Sequence, residues 1–143
     1  MIGFKRFAII AVLLGCFGLL DSGYLTVKHL RGSYIRCGDE CSAVLGSRYA
    51  EGVAGVPLAG FGAMAYLTVI VSGLFAAAGS QLGRRILGVT AMVMALFSIW
   101  LIYLQAFVIH AFCKYCLASA AASLTLAVLV LTGGFFRRVS PGQ

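Results

Sequence analysis

The chain contains very little charge, and negative charge is the scarcest. Of its 143 residues only 10% are charged, four acids stand against 11 lysines and arginines, and 62% are hydrophobic. A composition this apolar excludes an ordinary soluble domain and a disordered tail. Internal repeats and low-complexity tracts are also missing from the sequence.

The basic residues do not form a patch, although the net charge is +7. No basic face with interleaved aromatic residues is present, so a nucleic-acid partner is not expected. One set of basic residues falls at the N-terminus, the second connection and the C-terminus, without acids: Lys5, Arg6, Arg84, Arg85, Arg137 and Arg138. The other ends carry a mixed set: Lys28, Arg31, Arg36, Arg48 and Lys114, with Asp39, Glu40 and Glu51. The positive-inside rule then favours both termini in the cytoplasm.

Four apolar runs are long enough to cross a bilayer, which takes about 20 residues per helix. They predict an all-α integral membrane protein, a single domain over 1–143, with helices at about 7–29, 58–78, 86–109 and 113–135. The long extracytoplasmic loop joins helices 1 and 2, and Pro57 marks its end. The start resembles a signal peptide but lacks a small-x-small cleavage site, so we expect a retained first helix. With four spans, the loops after helices 1 and 3 lie on the same side.

Cys113 and Cys116 form a CxxC pair where the fourth apolar run begins. Residues three apart share a helix face, so their sulfur atoms come within reach of each other. Free N–H groups at a helix start, together with Lys114, lower the pKa of a thiol and favour the reactive thiolate. Cys116 lies about one turn deeper, which suits Cys113 to a protein thiol and Cys116 to a ligand in the bundle. Two inert buried cysteines are the alternative.

A second pair, Cys37 and Cys41, occupies the polar loop after helix 1. Arg36 favours the thiolate of Cys37, and a loop pair is able to swing between partners. Three alternatives stay open: a redox pair, a structural disulfide, and a zinc site built from all four cysteines. No metal is expected, because a pair at the membrane surface suits a zinc knuckle poorly. The lone Cys16 is expected in the core.

These motifs together resemble the vitamin K epoxide reductase family. The resemblance rests on the segment 41–49 (CSAVLGSRY), on 55–57 (GVP) with Phe61-Gly62, and on the CxxC that opens the fourth helix. The segment 21–26 (DSGYLT) is similar to bacterial members. The likeness extends from about residue 7 to 135.

The resemblance implies a role for each cysteine. Cys113 and Cys116 would be the redox pair beside a quinone, and Cys37 and Cys41 the shuttle pair that takes electrons from a thioredoxin-like protein. Cys41 would attack Cys113 and release Cys116 next to the quinone. No thioredoxin-like domain is fused here, so the thiol partner is expected to be separate.

The resemblance also implies quinone contacts from Ser47, Leu58, Phe61 and Ala120. Leu58 and Ala120 depart from the family, because relatives have an asparagine and vertebrate members a tyrosine at these positions. The quinone would be of the ubiquinone, menaquinone or vitamin K type. A bacterial cytoplasmic membrane fits the short loops better than the endoplasmic reticulum does.

Several other residues invite functional readings, each with a plainer alternative. Asp21 is an acid near a span, where function is the default hypothesis, but it could pair with Lys28. His110 could relay protons or lie at the interface, and Gln105 could face a cavity or bond a neighbouring helix. Three aromatic residues of helix 3 are expected to pack rather than to line a pocket: Trp100, Tyr103 and Phe107.

Two other protein classes remain as rivals. One is the other four-helix, quinone-linked family of disulfide-bond oxidases, whose second cysteine pair lies between helices 3 and 4; the short connection here argues against it. The other is a metal-binding or structural membrane protein that uses the four cysteines.

Overall fold

The computed structural model describes residues 2–31, 39, 43–44, 46–48, 51–52 and 54–133. The regular structure of these residues is helical: α1 (Ile2–Leu30), α2 (Leu58–Ala77), α3 (Gln81–Tyr103), a π-helical segment (Leu104–Ile109) and α4 (Lys114–Thr132). Four helices of this part of the chain are long and apolar enough to cross a membrane. At 1.5 Å per residue, the 20 residues of α2 span about 30 Å, the thickness of a hydrocarbon core. The predicted all-α fold with four membrane helices is confirmed.

The interior of the bundle combines small side chains with a few large ones, and many large apolar side chains point outward. Its core contains the alanines Ala11, Ala76 and Ala91 beside Tyr66 and Leu87. The outer surface carries many exposed leucines and other large apolar groups, and Leu20 is 75% exposed. Because lipid tails are as apolar as leucine, close packing rather than the hydrophobic effect joins such helices. The outward surface is therefore the lipid-facing one.

Close contact between α1 and α2 depends on a glycine. A Cβ atom at Gly18 of α1 would overlap the ring of Tyr66 on α2. Tyr66 is fully buried, and its hydroxyl donates to the Ser119 carbonyl oxygen of α4 at 2.7 Å and also contacts the Ser123 hydroxyl at 3.0 Å. One side chain thus holds α1, α2 and α4 together.

The connection between α2 and α3 is a tight turn, so these two helices are antiparallel neighbours. Gly79 takes a φ of +96°, which favours glycine. Ser80 then caps α3, because its side-chain oxygen accepts the N–H of Gly83 at 3.3 Å. This cap explains why α3 begins at Gln81, before the position 86 expected from the apolar run alone.

Candidate functional site

A cavity of about 130 Å³ lies at the end of the bundle where the loop after α1 meets the connection between α3 and α4. All four helices and the loop contribute to its wall: Ser22 and Leu25 from α1, Val44 and Ser47 from the loop, Leu58 and Gly62 from α2, Ser98 from α3, Gln105 from the π-helical segment, and Cys116, Ser119 and Ala120 from α4. An apolar cavity of roughly 150 Å³ takes up benzene in another protein. The cavity therefore has room for about one six-membered ring.

The two CxxC sulfur atoms have different surroundings. Cys113 is the N-cap of α4 and is fully buried, packed with Ala111 and with Val44 of the loop. Cys116 lies in the first turn of α4 and lines the cavity. The segment that follows Cys41 thus covers one cysteine, while the other faces the space where a ligand fits.

Both residues are reduced thiols here, and the Cys116 thiol is hydrogen-bonded to the Cys113 sulfur. That bond is the main reason why the pKa of Cys113 falls from 9.0 to about 7. Burial opposes the shift, whereas the backbone N–H groups of Cys116 and Tyr115 reinforce it. Cys113 is therefore the thiol that ionises near neutral pH, as its place at a helix N-terminus predicts.

The π-helical segment brings Gln105 against the cysteine pair. The Gln105 backbone oxygen accepts the N–H of His110 and, at 3.2 Å, that of Ala111. His110 adopts the left-handed conformation, with φ of 55°, so the chain turns sharply back. The N–H of Cys113 then donates to the Gln105 side-chain oxygen at 3.1 Å. Single turns of π-helix occur frequently at functional sites, and this one fixes the backbone at the first cysteine.

The positions that the resemblance pointed to behave differently from one another. Ser47 lines the cavity, but its hydroxyl donates to the Val44 carbonyl oxygen at 2.7 Å, as in a local loop cap. Leu58 and Ala120 also line the cavity and present apolar surface. Phe61, 49% exposed, is not among the residues that line it.

The charge of Asp21, on α1, acts on Cys113 at the start of α4. Its Oδ2 atom is buried and has no hydrogen-bond partner within the described residues. Lys28 does not provide that partner: its Nζ lies over the Tyr24 ring, 5.6 Å from the centroid. The Tyr24 ring in turn contacts that of Tyr115, which ties α1 to the first turn of α4.

Several other predicted residues lie away from the cavity or outside the described residues. Cys37 and Cys41 lie outside the described residues. The expectation that Cys16 lies in the core was wrong: it is exposed on the outer face of α1. The aromatic residues of α3 pack along its surface, Trp100 against Phe97 and Tyr103 against Phe107. Within the described part of the chain, no three potential metal ligands cluster.

The sequence model of the vitamin K epoxide reductase family matches residues 9–131, most of the chain. The chain belongs to the vitamin K epoxide reductase family. A search of curated proteins returned no match. Family membership makes the protein a membrane redox protein of the vitamin K epoxide reductase kind, from a family generally associated with quinones.

The cavity of this vitamin K epoxide reductase family member also has polar groups beyond those predicted from the sequence. Ser22 and Ser98 are buried and line it, and Ser119 lies beside them on α4. The sequence feature that could have indicated these serines is a hydroxyl group at a helix position that faces the interior of the bundle. Serine is common at helix contacts in membranes, so that signal does not separate a site from a packing contact.

Proposed function

We propose that the protein is a membrane thiol–disulfide oxidoreductase, which oxidises a separate thioredoxin-like partner and reduces a membrane quinone. The observation that carries the proposal is the division of the CxxC pair. Cys116 lines a cavity of about 130 Å³, while Cys113 is packed against Val44, three residues after Cys41. The pair thereby lies between a ligand space and a loop that contains a second pair.

Electrons enter through the loop pair. A thiolate of the reduced partner attacks the Cys37–Cys41 disulfide, and the partner's second thiol resolves the mixed disulfide, which leaves the partner oxidised and the loop pair reduced. Cys41 then attacks the Cys113 sulfur of the Cys113–Cys116 disulfide and displaces Cys116 as a thiolate. Attack by Cys37 on the Cys41–Cys113 bond restores the loop disulfide and leaves Cys113 and Cys116 reduced.

Electrons leave through the cavity. The reduced Cys113–Cys116 pair gives up two electrons and two protons, a disulfide forms between the two sulfur atoms, and the quinone is reduced to hydroquinone. The apolar wall at Leu58 and Ala120 suits the face of a ring, and a quinone supplies the two-electron acceptor. The low pKa of Cys113 means that this thiol of the reduced pair is partly ionised near neutral pH, and the thiolate is the form that bonds to the Cys116 sulfur as the quinone takes the electrons.

The cell biology follows from the membrane arrangement. With both termini in the cytoplasm of a bacterium, the cysteines face the oxidising side of the cytoplasmic membrane, where disulfides persist. Oxidation of the thioredoxin-like partner there supports disulfide formation in exported proteins.

Trapping the exchange intermediate tests the proposal. In Cys116→Ala the Cys113 thiolate attacks the Cys41 sulfur of the Cys37–Cys41 disulfide and releases Cys37. No Cys116 is present to resolve the product, so a Cys41–Cys113 disulfide should accumulate and shift the band on a non-reducing gel. Adding Cys41→Ala should abolish the shift, whereas Cys16→Ala, which changes a lipid-facing thiol, should leave both the gel pattern and the activity of the native protein unchanged. Absence of the shifted species, together with unimpaired quinone reduction by Cys116→Ala, would refute the assignment.

A further inference from the structure

We propose that Gln105 binds the quinone head group, with its side-chain N–H groups donating to a ring carbonyl oxygen beside Cys116. The inference rests on the proposed function and adds to it a residue that selects and orients the substrate. Gln105 is 3% exposed and lines the cavity, on the π-helical segment that leads into the CxxC.

The orientation of the Gln105 carboxamide follows from its hydrogen bond to Cys113. A backbone N–H only donates, so the atom that accepts it at 3.1 Å must be the carboxamide oxygen and not the nitrogen. The –NH₂ group, with its two donors, is therefore on the other side of the carboxamide. Within the described residues, the side-chain hydrogen bond of Gln105 uses its oxygen atom, which leaves the donors of the –NH₂ group for a ligand in the cavity.

Other polar groups near the cysteines are less suited to this role. The Ser47 hydroxyl proton is used by the Val44 carbonyl oxygen, and the Ser119 hydroxyl contacts the Tyr66 hydroxyl at 2.9 Å. Ser98 precedes Gln105 by seven residues, which places it roughly 10 Å deeper along the helix at 1.5 Å per residue. Leu58 and Ala120 provide no donor. Ser22 and His29 also line the cavity, but Gln105 is the lining donor whose side chain is hydrogen-bonded to the cysteine segment.

One carboxamide would then perform two tasks. Its oxygen holds the backbone at Cys113, and its nitrogen holds the substrate against Cys116, so the two reacting partners share one support. A buried carbonyl without a donor loses binding free energy, and removal of one such bond should weaken quinone binding by about tenfold.

Two substitutions separate the tasks. Gln105→Glu keeps an oxygen for the Cys113 N–H and has no donor once its carboxyl is ionised, so its quinone binding is followed to rising pH until it no longer changes. Gln105→Met has a similar length and neither group. Gln81, exposed at the start of α3, offers matched controls in Gln81→Glu and Gln81→Met. The probe is decyl-ubiquinone, with its Kd measured by equilibrium titration and its KM and kcat measured with the reduced thiol partner. A second readout is the rate at which the reduced partner reduces the Cys113–Cys116 disulfide without quinone.

We expect both Gln105 variants to raise the Kd and KM for the quinone by about tenfold, and only Gln105→Met to slow the disulfide step as well. The Gln81 variants should match the native protein. Native quinone affinity in Gln105→Glu at a pH where its carboxyl is ionised would overturn the proposal, and so would a defect confined to the disulfide step in both variants. If the native protein neither binds nor reduces the quinone, the proposed function itself fails, and that result is distinct. Thermal melting of each variant identifies any loss of folding, and Gln105→Glu still provides the test if Gln105→Met unfolds.

Discussion

Replacing Cys116 by alanine should make Cys113 a weaker acid. The hydrogen bond from Cys116 is the largest cause of the low pKa of Cys113, while burial acts in the opposite direction. Without that bond the pKa should move from about 7 back toward the ordinary 9.0. At pH 7 a thiol with pKa 7 is half ionised, and one with pKa 9.0 is ionised in about one molecule of a hundred, so full loss of the shift lowers the thiolate fraction about 50-fold.

The change in reactivity should be smaller than the change in ionisation. A thiolate of higher pKa is a better nucleophile, with a Brønsted coefficient of about 0.4–0.5, so a two-unit rise increases the intrinsic rate about eightfold. Cys113 is fully buried, so a reagent reaches it only when the contact with Val44 and Ala111 opens. With that opening common to both proteins, alkylation of Cys113 should slow by roughly sixfold at pH 7. Above pH 9 both proteins are ionised at Cys113, and the variant should become the faster one.

The assay needs a protein whose only thiols are those of Cys113 and Cys116, made with the substitutions Cys16→Ala, Cys37→Ala and Cys41→Ala. The ultraviolet absorbance of the thiolate, followed against pH in detergent, gives the pKa, and peptide mass spectrometry after timed alkylation gives the rate at Cys113. Cys116→Ser keeps a hydroxyl donor, so the pKa of Cys113 in this variant should lie between its values in the native pair and in Cys116→Ala. A Cys116→Ala protein in which Cys113 titrates at the same pH as in the pair, or lower, would refute the reasoning.

Three further predictions concern packing and charge. Gly18→Ala should destabilise the bundle by about 1–3 kcal/mol, because the new methyl group overlaps the Tyr66 ring, whereas Gly23→Ala on the same helix, with open space around it, should be tolerated in thermal melting. Tyr66→Phe should cost about 1 kcal/mol in the same assay through the lost bonds to α4; an unchanged melting temperature would contradict that role. Asp21→Asn should lower the pKa of Cys113, since the Asp21 carboxylate raises it, and a thiolate titration that moves upward would be the contrary result.

The helices could be predicted from the sequence because membrane spans are encoded in long apolar runs. The start of α2 at Leu58, directly after Pro57, could also be predicted, because proline at the entry of a helix is a local sequence signal. The start of α3 was harder to predict, because the cap at Ser80 lets the helix begin in polar residues that precede the apolar run. Nothing in the sequence indicated the π-helical turn, which depends on how Gln105 meets the backbone of His110, Ala111 and Cys113.

The site was only partly predictable. The CxxC spacing predicted that Cys113 and Cys116 would meet, since i,i+3 geometry is local. The outward direction of Cys16 was not predictable from the residue, because membrane helices are apolar on every side and the inward face shows no contrast. The role of Gln105 stayed open for a related reason: a polar residue in a span either bonds a neighbour or faces a cavity, and here it does both.

The complete burial of Cys113 has a consequence for electron traffic. A small thiol dissolved in the surrounding water cannot reach that sulfur without displacing Val44 and Ala111. In the proposed cycle Cys113 therefore exchanges disulfides with the loop pair, which a docked protein reduces. Small thiols in solution are excluded from this reaction and do not reduce the quinone. Loosening the contact at Val44 would be expected to expose Cys113 to small thiols in solution. These thiols would then reduce the quinone in place of the protein partner, which would stay reduced.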